Sequence, residues 1–302
     1  MRLITRSDFD GLMCGALLKA KNMITDVKFV HPKDLQDGII EVTSNDILAN
    51  VPYVEGCGIW FDHHLSEVER LGYVDIPGAT WPMDSAARVI YEYYDGKLWL
   101  PQFADVLDQV DRVDSGKLTA DDVMNPKEWV LLGFLMDPRT GLGRFRNFKI
   151  SNLDLMTRLM DMCYQSPIDQ ILEDENVKER VDLYNEQAPL FEEMLIKHTM
   201  VEGNVIITDL RGVDPINAGN RFKIYWMYPD QNISMWIVDG RAGLNVSIAC
   251  GYSINNRSAE VDIGGLMLSH GGGGHHQVGT CQVATEVADQ RILEIAKALN
   301  GV

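Results

Sequence analysis

Basic residues, paired cysteines and long apolar runs are all scarce in this chain. Only 27 lysines and arginines stand against 44 aspartates and glutamates, a formal charge of −17. That balance argues against a broad electrostatic grip on long nucleic acid, where affinity comes from neutralising many phosphates. It leaves room for a small phosphate-bearing ligand held by metal ions and a few donors inside a cleft. The five cysteines (Cys14, Cys57, Cys163, Cys250, Cys281) are odd in number and scattered, with no C-x-x-C pair. They exclude a disulfide framework and a zinc site, and read as reduced thiols of a cytoplasmic protein. No apolar run reaches the roughly 18 residues that cross a bilayer, so no membrane partner is expected. The opening MRLITRSDFDG meets charge almost at once and is expected not to be a secretory signal.

What the chain does have is an ordinary globular composition, 46% hydrophobic and 24% charged over 302 residues. That length allows roughly two domains whose cores need no staples. Short β-rich runs open it: RLIT (2–5), VKFV (27–30), DILA (46–49) and GIWF (58–61). Between the first two, residues 12–21 (LMCGALLKAK) set apolar side chains at helical spacing and end in lysines, which suit a helix C-terminus. The alternation predicts an α/β domain over residues 1–165, a mostly parallel sheet flanked by helices. Binding crevices in such sheets lie at the C-terminal ends of the strands. Helices are predicted over 85–94, 103–113 and 153–164. A helical connector over 166–200 carries a charged helix, 174–197, expected to break near Pro189. Past Glu202 the runs VIITDL, KIYWMY, SMWIVDG and LNVSIACG read as strands, closed by a helix from Glu286. They predict a smaller α+β domain over 201–302.

Three short segments concentrate the chemistry. After the first strand comes Thr5-Arg6-Ser7-Asp8-Phe9-Asp10-Gly11. Its two carboxylates would repel each other unless a cation lay between them. Asp is also an ordinary N-cap and turn residue, so alone the segment decides little. Asp62-His63-His64 follows the strand GIWF. Carboxylate and imidazole suit manganese, iron, zinc or magnesium according to geometry, although a solvated histidine pair at a strand end would read the same way. Both segments follow strands of one predicted sheet and so can open onto one crevice. The third segment is Ser269, His270, Gly271, Gly272, Gly273, Gly274, His275 and His276. Four consecutive glycines lose much entropy on folding and make sense where the backbone comes very close to something, such as an anion nest of N–H groups. A plain flexible loop is the alternative. Five of the seven histidines fall in these last two clusters.

Taken in order, these motifs resemble the DHH phosphoesterases. That family includes manganese-dependent exopolyphosphatases, pyrophosphatases, nanoRNA-degrading oligoribonucleases, cyclic-dinucleotide phosphodiesterases and single-strand exonucleases. GGGGHH resembles the mark of its DHH-associated C-terminal domain, and the likeness runs along nearly the whole chain. The resemblance implies Asp8, Asp10, His63 and Asp114 as metal ligands, with Asp111 and Asp137 as rivals of Asp114. It implies that His64 faces the substrate phosphate and that Asp62 orients a histidine or supports the metal shell. His270, the four glycines, His275 and His276 would bind substrate. The implied cofactor is one or two divalent ions, Mn2+ before Mg2+.

Three positions depart from the family pattern. Arg6 stands where a histidine usually opens the first motif, and Asn50 where a metal-bridging aspartate is usual. Residues 245–250 (NVSIAC) lack an arginine for which Arg221, Arg241 or Arg257 would have to compensate. An amide binds a cation more weakly than a carboxylate, and a guanidinium has no lone pair to give. Arg6 is therefore expected to act as a fixed positive charge, paired with phosphate or with Asp8. The segment RTGLGRFR (139–146) reads equally as a phosphate contact or a solvated loop.

The implied function is metal-assisted hydrolysis of a phosphodiester or phosphoanhydride in a short oligonucleotide, a cyclic dinucleotide or polyphosphate. The retained acidic and histidine positions favour an enzyme. The departures at Arg6 and Asn50 motivate the alternative, a phosphate-ligand or nucleotide-binding protein with weakened catalysis. A homodimer is left open.

Overall fold

The computed structural model describes every residue except Leu65, Ser66, Val68, Glu69, Tyr73, Arg241, Ala242 and Val302. The expectation attached to Arg241 therefore lies outside the described residues. The chain divides into two compact units, Met1–Asn185 and Glu186–Val302.

The first unit is built on five parallel strands: β1 (Arg2–Thr5), β2 (Asp26–Phe29), β3 (Asp46–Ala49), β4 (Ile59–Asp62) and β5 (Gly78–Thr80). Their order is β2-β1-β3-β4-β5. Every residue of β3 is buried, as a central parallel strand covered on both faces requires. The strand register aligns the ends of three strands. Thr5 lies beside Ala49, and Ala49 beside Phe61. The next residues, Arg6, Asn50 and Asp62, therefore emerge side by side at the C-terminal edge of the sheet. Helices α1 (Phe9–Ala20), α2 (Ala86–Tyr93), α3 (Ala104–Asp114), α4 (Glu128–Met136) and α5 (Asn152–Gln165) flank it. Helix α1 is buried on all sides from Phe9 to Leu18, which explains its nearly uninterrupted apolar sequence. It comes so close to α5 that a Cβ at Gly15 would fall 2.4 Å from the Met160 thioether.

Helix α6 (Glu175–His198) leads into the second unit and runs unbroken through Pro189. This corrects the expected break. Pro189 lies on the exposed side, where the carbonyl that loses its N–H partner can turn to water. Tyr184, Phe191, Met194 and Leu195 pack along the buried side. The second unit holds a six-stranded mixed sheet of β6 (Thr199–Glu202), β7 (Val205–Asp209), β8 (Ile233–Asp239), β9 (Asn245–Tyr252), β10 (Gly273–His275) and β11 (Val278–Ala284). Only β7 and β8 run parallel, in the order β10-β11-β9-β8-β7-β6. Strands β9 and β11 alternate buried with less buried residues. Their inner side chains pack with α7 (Ile263–Ser269) and α8 (Ala288–Leu299) into one core.

A second correction concerns KIYWMY. Asn220 accepts the Phe222 N–H and caps a 3-10 turn, Arg221–Lys223, which continues as the short helix Ile224–Met227. The aromatic alternation that suggested a strand instead buries Ile224 and Tyr225 from one helical turn.

Candidate metal centre

Three adjacent strand tips, the N-termini of α1 and α2 and the last residue of α3 build the centre in the first unit. Past β1, Asp8 caps α1 by accepting the Gly11 N–H at 3.0 Å through Oδ1. Capping satisfies a donor that the helix cannot pair internally. A Cβ at Gly11 would fall 2.1 Å from the Arg6 carbonyl oxygen, so the turn needs glycine there. Past β3, Asn50 adopts a left-handed backbone (φ 56°), which Asn tolerates better than most residues. It donates from Nδ2 to Asp8 Oδ1 at 3.0 Å. Arg6 Nε lies 3.2 Å from the other oxygen, Asp8 Oδ2.

Asp10 sits in the first turn of α1 and is 1% exposed. Its two oxygens accept the N–H groups of Ala87 and Ala86 at 2.7 and 2.9 Å. These are the first donors of α2, whose N-terminus is also its positive dipole end. Ser85 caps that helix and donates to Asp111 at 2.6 Å. Arg88 also holds Asp111, so this rival joins α2 to α3. Asp137, the other rival, caps a 3-10 turn and pairs with Arg139. Asp114, the last residue of α3, is the one that reaches the centre.

His63 completes the cluster. Its Nδ1 lies 3.1 Å from the Met83 carbonyl oxygen, which can only accept, so the proton resides on Nδ1. The other ring nitrogen, Nε2, is buried with no hydrogen-bond partner. It faces Asp114 Oδ2 at 3.4 Å and Asp10 Oδ2 at 3.8 Å. Two buried carboxylates that converge on this nitrogen repel each other until a cation lies between them, and one donor atom from each of the three residues lies within 4.8 Å of the others. Two carboxylates and an imidazole fixed by a carbonyl are a sound ligand set for a divalent ion. Burial, then the charges of Asp114 and Asp8, hold the Asp10 carboxyl well above its usual range. Burial also raises Asp114, with Asp8 adding to the effect and His63 opposing it. A cation at this point would relieve both.

Next to it, His64 Nδ1 lies 2.8 Å from Asp62 Oδ1. Burial disfavours the imidazolium, yet the Asp62 carboxylate outweighs it and leaves His64 above its ordinary value. Arg139 has a like balance: burial works against its charge, but Asp137, Asp8 and Asp114 hold it above normal. The arginine loop thus includes a guanidinium within electrostatic reach of the acidic cluster. Sequence pattern alone leaves that segment undecided. It misses the Ala86 and Ala87 N–H donors and the Met83 carbonyl altogether, because backbone groups carry no residue-type signal. In this unit, Arg6, Asp8, Asp10, Asn50, Asp62, His63, His64 and Asp114 come together.

His270, the glycine run, His275 and His276 belong to the second unit. Gly271 has φ +80°, a region that favours glycine. At Gly272 a Cβ would fall 2.0 Å from the Thr280 carbonyl oxygen, and at Gly274 2.1 Å from that of Val278. Both glycines are therefore demanded by the β10–β11 pairing. Gly273 has open space where its Cβ would be, so packing within the unit does not require glycine there. His270 Nδ1 is buried without a hydrogen-bond partner, and His276 Nδ1 lies 3.4 Å from the Tyr252 hydroxyl.

No family model matches the chain, and no curated protein matches it. Among solved structures, a pGpG-specific phosphodiesterase, PggH, from Vibrio cholerae is 44% identical, with a TM-score of 0.82 over 99% of this chain and 99% of that one. The DHH domain of a member of the s1p family of ribosomal proteins is 13% identical, with a TM-score of 0.55 over 99% of this chain and 86% of that one. This second likeness is one of fold. With 44% identity to a phosphodiesterase over 99% of both chains, a DHH-type fold and the sequence motifs in place, the chain belongs to the DHH phosphoesterase family.

Proposed function

We propose that the chain hydrolyses the phosphodiester bond of a short linear dinucleotide with a 5′-phosphate, of the pGpG kind. The observation that carries this reading is 44% identity over 99% of both chains to a phosphodiesterase described as pGpG-specific. Charge supports it too, since a net charge of −17 disfavours long nucleic acid. Asp10, His63 and Asp114 would hold the divalent ion. When bound, such an ion neutralises phosphoryl oxygens and acidifies a water molecule. Mixed oxygen and nitrogen donors favour Mn2+ over Mg2+, which prefers all-oxygen sites.

The chain's own residues do the rest. Asp62 fixes Nδ1 of His64, so the proton to be exchanged is the one at Nε2, positioned to be given to the leaving alkoxide. Ala86 and Ala87 hold Asp10 in one orientation before substrate arrives. We assign the phosphate grip to residues 270–276 of the second unit, with Gly273 as the point of backbone approach. The buried, unpaired cysteines agree with a reducing, cytoplasmic setting. Nothing in the described residues argues for the homodimer.

The test incubates the protein and Mn2+ with linear 5′-phosphorylated GG dinucleotide, cyclic dinucleotide, pyrophosphate, polyphosphate and a longer RNA. Release of two guanosine 5′-monophosphates from the linear dinucleotide, well ahead of the others, is expected. Binding of the dinucleotide without turnover would instead support the binding-protein alternative, which draws on Arg6 and Asn50. Faster turnover of pyrophosphate or polyphosphate would contradict the substrate class.

A further inference from the structure

Asp8 and Asp10 lie two residues apart and differ in the group that each faces beyond its neutral donors. Asp10 Oδ2 accepts the Ala86 N–H and faces His63 Nε2, which has no hydrogen-bond partner, at 3.8 Å. Both carboxylates accept neutral N–H groups, Asp10 those of Ala86 and Ala87 and Asp8 those of Gly11 and Asn50 Nδ2, but only Asp8 also has a guanidinium ion-paired to it, Arg6 Nε 3.2 Å from Oδ2. Asp8 Oδ1 is thus taken by two N–H donors, and Oδ2 faces a full positive charge. An ion brought to Asp8 would have to sit against a guanidinium. The orientation of Asn50 is dictated by chemistry, since only its NH2 end can face a carboxylate.

We propose, resting on the phosphoesterase reading, that this centre binds a single metal ion at Asp10, His63 and Asp114, and that the Arg6 guanidinium, fastened to Asp8, presents the site's second positive charge to the substrate phosphate. The balance of charge supports this. Relative to a histidine at 6 and an aspartate at 50, Arg6 and Asn50 together make the site more positive by two elementary charges, the charge of one divalent ion. Arg6 is held through Nε and its side chain is 33% exposed, so the planar fork is anchored on one side and accessible from solvent. Such a fork binds phosphate through parallel hydrogen bonds without any need for a metal. Asp8 is thus a positioning residue for Arg6, and Asn50 orients Asp8.

Equilibrium dialysis against excess Mn2+, with metal counted per chain, tests the proposal without reading activity. One ion is expected in the wild type, and two in the Arg6→His, Asn50→Asp double variant. Two ions in the wild type would overturn the inference while leaving the phosphoesterase reading intact. No ion would overturn both. A folded double variant that still holds one ion would overturn the assignment to Arg6 and Asn50. Should the double variant not fold, Arg6→Ala provides the second test. It should keep its single Mn2+ but bind inorganic phosphate at least about tenfold more weakly, as loss of a charge-assisted contact implies. Unchanged phosphate affinity would refute the role of Arg6.

Discussion

Replacing Asp114 by Asn keeps the side chain's size and removes one of the two carboxylates facing His63 Nε2. In metal-free protein that change relieves repulsion. Donor atoms of Asp10 and Asp114 lie within 4.8 Å, where two unit charges repel by about 3.5 kcal/mol at an effective dielectric near 20. Asp114 is 26% exposed, and proton uptake by the raised Asp10 already relieves part of this. A net stabilisation of about 1–2 kcal/mol is therefore expected in chelator, a rise of roughly 2–4 °C per kcal/mol for a domain of this size. Metal reverses the order. At an ion concentration of about 100 times Kd, the wild type gains about 2.7 kcal/mol. If the variant binds about 100-fold more weakly, it gains only about 0.4 kcal/mol at the same concentration. The sign with pH is fixed as well. A carboxyl raised in the folded state binds more protons there than when unfolded, so wild-type stability without metal improves as pH falls through the raised value. The variant's advantage should shrink accordingly. Urea denaturation followed by circular dichroism, in chelator and in Mn2+, reads all of this. A variant less stable than the wild type in chelator, with an equal response to Mn2+, would refute the reasoning.

Three further outcomes are expected. Asp46 accepts from Arg2 Nε and Nη2 and from the Thr43 amide and hydroxyl; burial pushes its carboxyl up, but Arg2 and Thr43 leave it below the usual range. Asp46→Asn should cost about 2–3 kcal/mol at neutral pH, with the penalty fading as pH falls through that lowered value; a penalty undiminished in acid, by urea midpoint, would contradict this. Gly274→Ala should disrupt the β10–β11 hairpin because its Cβ meets the Val278 carbonyl, whereas Gly273→Ala should change stability by less than about 0.5 kcal/mol yet weaken phosphate binding. Equal melting temperatures for the two variants would contradict the packing account. Asp62→Asn should lower the His64 pKa and move the alkaline limb of kcat/KM to lower pH; a limb that stays in place would remove His64 as the proton donor.

Much of the first unit was legible because its strands are short, apolar and separated by polar turns. RLIT and DILA are β1 and β3 residue for residue. Parallel pairing then brings the segments after β1, β3 and β4 to one edge, so the motifs meet once the sheet forms. Local pattern failed where packing or capping prevails. Pro189 is tolerated because it faces solvent, and KIYWMY curls into a helix behind the Asn220 cap. The glycine run showed that backbone comes close to something, but not that at Gly272 and Gly274 the neighbour is its own hairpin partner. The fixed proton of His63 and the helix donors on Asp10 depend on main-chain atoms. Such atoms are alike at every position, and no sequence pattern marks them.

Metal chemistry at this centre depends on a bare His63 nitrogen sharing an ion with two carboxylates. Anomalous diffraction at the manganese edge, from crystals soaked in Mn2+, addresses this directly. One peak within bonding distance of Asp10 Oδ2, His63 Nε2 and Asp114 Oδ2 is predicted. A crystal without a peak there, or with manganese seated on Asp8 instead, would contradict it.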